Sequence, residues 1–178
     1  MTNDELSIKL IDDVAKIRGV IINQAVTSER LIDEFLCNYF CNDEYKRKLL
    51  MELVISDQMM LKPKTALFFK ILSIDRNYSK INYDNLNESL KSLAFNRNIV
   101  AHWLVNTTDD GIDLYKKGVI SFIRFRYSDN KGGNIKSYNQ KDLNQVIKKA
   151  NKTVEALLAI VSGGDSSGSA SMHTSESS

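Results

Sequence analysis

Proline is almost missing from this chain. Pro63 stands alone among 178 residues, with only eight glycines beside it. So few backbone breakers, and no repeat period, exclude collagen-like and solenoid arrangements. Long hydrophobic runs are missing too: no uncharged apolar stretch approaches the roughly 18 residues that a membrane span needs. The first residues, MTNDELSIKL, place an acidic pair where an export signal needs a basic start and an apolar stretch. Cysteine occurs twice, which speaks for a reducing compartment rather than a disulfide scaffold. These absences predict a soluble cytoplasmic protein with no membrane partner.

Chemical motifs are equally sparse. No GxGxxG or Walker sequence offers a glycine-rich phosphate loop, and neither GxSxG nor HExxH occurs. No cofactor is expected. Cys37 and Cys41 stand four apart without a second pair nearby, and zinc normally wants four ligands. They read as buried helical thiols, with no metal site expected. Of two histidines, His173 falls in a Ser/Gly-rich stretch, which leaves His102 for the ordered body.

What is present suffices for a core. The chain is 43% hydrophobic and 26% charged, close to the globular average, and its length suits about one domain. The expected domain is residues 1–162. Residues 163–178 have almost nothing apolar to bury and are expected to be a disordered tail. Net charge is only +2 but unevenly spread. Residues 1–60 carry seven Lys/Arg against eleven Asp/Glu, and residues 61–162 carry seventeen against nine. A basic half either attracts a polyanion by counterion release or simply keeps the protein soluble; charge alone favours the second.

Periodicity predicts helices for most of the chain. Leu6, Leu10, Val14, Ile17 and Ile21 mark one amphipathic face, with Gly19 a point of bending or interruption. A next, strongly buried helix carries Leu31, Ile32, Phe35, Leu36, Tyr39 and Phe40. Asn42 or Asp43 is placed to cap a third, with Leu49, Leu50, Leu53 and Val54 on its face. Pro63 suits the first turn of a fourth, bearing Leu67, Phe68, Ile71 and Leu72. A fifth begins near Tyr83 or Asp84 and carries Leu86, Leu90, Leu93, Arg97 and Val100.

After Trp103 the pattern changes. Asp109-Asp110-Gly111 signals a turn, and Ile112–Lys116 with Val119–Tyr127 reads as a hairpin about Lys117-Gly118. Asn139 and Asp142 resemble a capping box for the last helix. Its stripe is Leu143, Val146, Ile147, Ala150, Val154, Leu157, Leu158 and Val161, and Gly163-Gly164 ends it. The expected class is all-α: a helical bundle with a small β-hairpin before its final helix.

The informative stretch is Phe95-Asn96-Arg97-Asn98-Ile99-Val100-Ala101-His102-Trp103. Asn98 and His102 are four apart on one helical face, and Arg97 lies on the adjoining face with a side chain long enough to reach round. An arginine on an apolar stripe needs a carboxylate or an external anion, and the spacing does not choose between them.

The Arg-Asn-x-x-x-His stretch, near the end of a penultimate long helix, resembles the Arg-x4–6-His signature of the HEPN superfamily. It also has some likeness to mannitol-operon-repressor-like proteins. The likeness covers residues 1–162 as an arrangement and residues 95–103 as specific residues. The resemblance implies a HEPN-like helical bundle, commonly dimeric, and metal-independent endoribonuclease activity of the toxin–antitoxin or phage-defence kind. It makes Arg97 and His102 the catalytic pair and Asn98 the polar residue that follows the arginine. It implies RNA as substrate and an antitoxin or regulatory protein as a possible partner. A non-catalytic HEPN-like dimer binding nucleotide, nucleic acid or a protein is the alternative.

The chemistry fits the inventory. Cleavage by attack of the ribose 2′-hydroxyl needs a base, an acid and cationic stabilisation of the crowded phosphate. One chain offers a single usable histidine, so a homodimer bringing two copies of the motif together is expected. Arg124 and Arg126, with Lys116 and Lys117 near the expected hairpin turn, either guide RNA or protect an edge strand. Trp103 and Tyr127 either stack on bases or serve as core and rim aromatics.

Overall fold

The computed structural model of the chain describes residues 2–56, 58–78, 81, 83–124 and 134–164. These residues are mostly helical and include a small three-stranded antiparallel sheet. None of the described helices is long and apolar enough to cross a membrane. The chain divides into two compact units: residues 1–28 with 82–153, and residues 29–81 with 154–178.

The two expected N-terminal helices are one continuous helix, α1 (Asn3–Phe40). Gly19 does not interrupt it. It is exposed, with open space where a Cβ would stand, and a lone glycine costs only about 1 kcal/mol. In the first unit Leu10, Val14 and Ile21 of α1 enter a core with Leu93, Ile99 and Val100 of α4 (Tyr83–His102). Ile112, Ile120, Phe122, Tyr138, Leu143 and Ala150 complete it.

The expected strand at Ile112–Lys116 is instead α5 (Asp109–Lys116). Thr108 caps it by accepting from the Gly111 N–H, and two aspartates in its first turn suit the helix dipole. Gly111 is required there: the Asn106 backbone carbonyl and side chain occupy the place a Cβ would take. After Gly118, whose φ of 77° suits glycine, β2 (Val119–Arg124) runs between β1 (Leu104–Val105) and β3 (Asn134–Asn139). The hairpin before the final helix is therefore β2 with β3, in register from Val119 opposite Asn139 to Arg124 opposite Asn134.

The helix α6 (Gln140–Gly164) starts as expected. Asn139 Oδ1 accepts from the Asp142 N–H at 2.9 Å, and Asp142 Oδ2 accepts from the Asn139 N–H at 3.2 Å. The predicted stripe drifts at its end, where Ile160 is buried and Leu158 is exposed, as a 3.6-residue period requires. Gly163 and Gly164 lie within the helix rather than beyond it.

In the second unit Phe35 packs edge-on to Phe68 at 4.9 Å and to Tyr78 at 5.5 Å. Tyr39 and Phe40, expected to be buried, are exposed at the end of α1. Asp43 caps α2 (Glu44–Leu50), and Met51–Ser56 then continues as a π-helical segment. That change of winding shifts the face: Ile55 is buried, while the expected Leu49, Leu53 and Val54 are exposed. Pro63 lies in the first turn of α3 (Leu61–Ile74), which buries Phe68, Ile71 and Leu72.

Candidate functional site

The candidate site occupies the last two turns of α4, in the first unit. Leu86, Leu90, Leu93, Ile99 and Val100 fix the helix by their burial, which turns the opposite face outward. Phe95, Asn98 and His102 lie on that outer face at steps of three and four. Phe95 is 58% exposed, a large apolar side chain left in water beside two polar ones. Arg97 is half-buried at the flank. Its Nη1 donates to Asn98 Oδ1 at 3.1 Å, so the guanidinium bends from its own face toward that of Asn98 and His102.

No carboxylate among the described residues lies within ion-pairing distance of Arg97. The arginine that sequence spacing left undecided therefore has a neutral amide as its recorded partner.

Two neighbours, neither evident from the sequence, hold this end of α4. Arg18 of α1 donates from Nη2 to the Trp103 carbonyl at 2.7 Å, placing a cation where the helix dipole is negative. Its guanidinium carbon lies 5.9 Å from the centre of the Phe122 ring. About two turns back, buried Asn96 donates to the Ser92 carbonyl at 2.7 Å and accepts from the Tyr138 hydroxyl at 2.9 Å. Burial pushes the Tyr138 phenol up to about 12, so it remains a donor through the neutral range.

The other residues expected to meet RNA are scattered. Leu104 pairs with Ile123, so exposed Arg124, one step further along β2, is brought toward Trp103 and the end of α4. Lys116 and Lys117 are not at a hairpin turn. They end α5, near the start of β2, about 17 Å of strand away from Arg124. Lys116 Nζ is engaged by Asp113 at 3.0 Å and by Asn3 at 3.4 Å. Arg126 and Tyr127 lie outside the described residues, as does His173. Trp103 is half-buried against the core.

A richer cationic feature was not picked out from the sequence. Lys136 on β3 and Lys148, Lys149 and Lys152 on α6 line an open groove of ≈ 760 Å³, with Ser92 of α4 on another wall. The available signal was the i, i+4 pair Lys148 and Lys152. Nothing local connects Lys136 to them.

Cys37 is buried, and burial holds its thiol at about 11; Cys41 is half-buried, and both thiols are free. Among the described residues no three His, Cys, Asp or Glu side chains gather into a set able to hold a metal ion. Comparison with family models, with curated proteins and with solved structures returned no match.

Proposed function

We propose that the chain is a HEPN-type endoribonuclease that needs no metal, acts as a homodimer, and serves as a toxin or phage-defence effector. The observation that carries this reading is the Arg97 guanidinium, without a carboxylate partner among the described residues, turned onto Asn98 on the face that exposes His102. A planar, permanently charged fork suits phosphate oxygens, and an imidazole suits proton transfer near neutral pH. In this reading one His102 takes the proton from the ribose 2′-hydroxyl as that oxygen attacks the adjacent phosphorus. Arg97 steadies the charge that develops on the phosphate oxygens. The His102 of a second copy protonates the departing 5′-oxygen, leaving a 2′,3′-cyclic phosphate and a 5′-hydroxyl. Phe95 supports the two-fold arrangement, since an exposed ring on this face buries well against its own copy.

The test is incubation of the purified protein with end-labelled RNA in the presence of EDTA. Fragments with cyclic-phosphate and 5′-hydroxyl ends are expected. Arg97→Ala and His102→Ala should each lower the rate by about 10²–10⁴-fold while the circular dichroism stays unchanged. Intact RNA would overturn the nuclease reading and leave a binding module. Cleavage by a species that light scattering shows to be monomeric would overturn the composite site.

A further inference from the structure

The lysine groove of the first unit differs in kind from the other charged parts of the described surface. Lys136, Lys148, Lys149 and Lys152 are all exposed, and they converge from a strand and a helix onto one concavity. On α6, Lys152 stands four residues from Lys148 and three from Lys149, with Cβ atoms of each such pair about 5–6 Å apart. At physiological salt such charges fall within one screening length and act as a single field. Among the described residues Lys16, Lys91 and Lys116 pair with Asp13, Glu88 and Asp113, whereas Lys62 and Lys70 stand exposed and singly on α3. What sets the groove apart is that four lysines converge on one concavity.

In the groove no described carboxylate offsets that convergence by a direct ion pair. None of the four ammonium groups has a carboxylate within ion-pairing distance among the described residues. The lining does include Asp142, but its carboxylate accepts from the Asn139 N–H in the cap of α6. Glu88 feels the charge of Lys149, yet it is held by Lys91 at 2.8 Å. Asp142 and Glu88 therefore already have partners.

The groove also indicates which part of a ligand it meets. Its aromatic residue, Tyr138, is buried and engages Asn96 through its hydroxyl, while Lys136 Nζ lies 5.7 Å over its ring. That ring offers no face for a base to stack on. What remains is a row of ammonium groups in an open trough, which suits the backbone of a strand and not its bases. Ser92 on the groove wall precedes Arg97 by five residues, about 7.5 Å of helix axis. From Ser92 to His102 is about 15 Å along α4, a span of a few nucleotides for a strand leaving the trough.

We infer that the groove formed by Lys136, Lys148, Lys149 and Lys152 binds the phosphodiester backbone of a single-stranded RNA without regard to base sequence. The inference deepens the ribonuclease reading and rests on it for the identity of the strand; the site itself rests on the convergence of four exposed lysines on one groove.

Fluorescence anisotropy with a labelled mixed-sequence single-stranded RNA tests it, using the full chain at several salt concentrations. The variant Lys149→Glu with Lys152→Glu is compared with a control of equal charge, Lys62→Glu with Lys70→Glu, on exposed positions of α3. The groove variant is expected to weaken binding at least tenfold, and the control less than twofold. Replacing the same two groove lysines by glutamine, a milder change that guards against misfolding, should lower the salt slope by about 0.7 per lysine. The arginine pair at these positions should restore binding.

Equal losses in groove and control variants would overturn the inference in favour of diffuse charge. Displacement of the RNA by polyglutamate as effectively as by unlabelled RNA would overturn it in favour of an acidic protein partner. The outcome separates from that of the cleavage assay. Groove-dependent binding without cleavage leaves this site standing and removes the nuclease. Cleavage with groove variants that bind normally does the reverse.

Discussion

Two sets of lysines, one in each unit, show opposite uses of the same side chain. In the second unit Lys64 is only 2% exposed, and its Nζ lies 3.0 Å from Asp33 and 3.1 Å from Glu29. Burial pulls its pKa down, but the two carboxylates more than offset this and leave it raised. Asp33 itself is pushed up by burial, and its second oxygen has no hydrogen-bond partner among the described residues. In the first unit the four groove lysines are exposed, with no ion pair among the described residues. A cation sealed beneath two carboxylates holds the fold. Cations held open in a trough do little for the fold and are available to something else.

The largest way to break that comparison is Lys64→Ala, which leaves Asp33 buried without its counter-ion. Denaturant unfolding should show a loss of about 3–5 kcal/mol, whereas Lys149→Ala should stay within about 0.5 kcal/mol. Replacing Lys64 by Met and Asp33 by Leu together removes both charges and should recover most of the loss.

Alkaline pH sharpens the contrast between the units. A folded-state pKa above the unfolded value means that the unfolded chain releases its proton first, so stability is complete below the ordinary pKa and falls as pH rises through the folded one. For Cys37 in the second unit that window runs from 9.0 to about 11. For Tyr138 and Tyr115 in the first it runs from 10.0 to about 12. Hydrogen exchange followed through this range should show protection falling first around Cys37 and later around the two tyrosines.

A smaller effect is expected from Tyr138→Phe, which leaves the Asn96 carbonyl oxygen buried without its donor. About 1–2 kcal/mol should be lost in thermal unfolding, and the groove lysines are untouched.

What could be read from the residues alone follows the range over which the cause acts. The Asn139–Asp142 cap, the α4 stripe and the closeness of Arg97 to Asn98 are decided within one or two turns, and the structure contains each of them. The segment Asp109–Lys116 was misread because eight residues are too few to separate two periods, and Asp-Gly resembles a turn until Thr108 is recognised as a cap. Continuity of α1 through Gly19 was missed because glycine weakens a helix without necessarily ending it. The lysine trough and Arg18 on the Trp103 carbonyl depend on tertiary packing. Lys136 and Lys148 meet because of how β3 and α6 fold together, and Arg18 reaches a helix end far along the chain.

The join between β3 and α6 carries a mechanical consequence. Asn139 closes the strand and Gln140 opens the helix, so no linker absorbs an error between them. Pairing with β2 consequently indexes the rotation of the helix. One residue inserted at the junction would turn the Lys148–Lys152 row by about 100° relative to Lys136 and close the trough as a binding surface without removing any of its side chains.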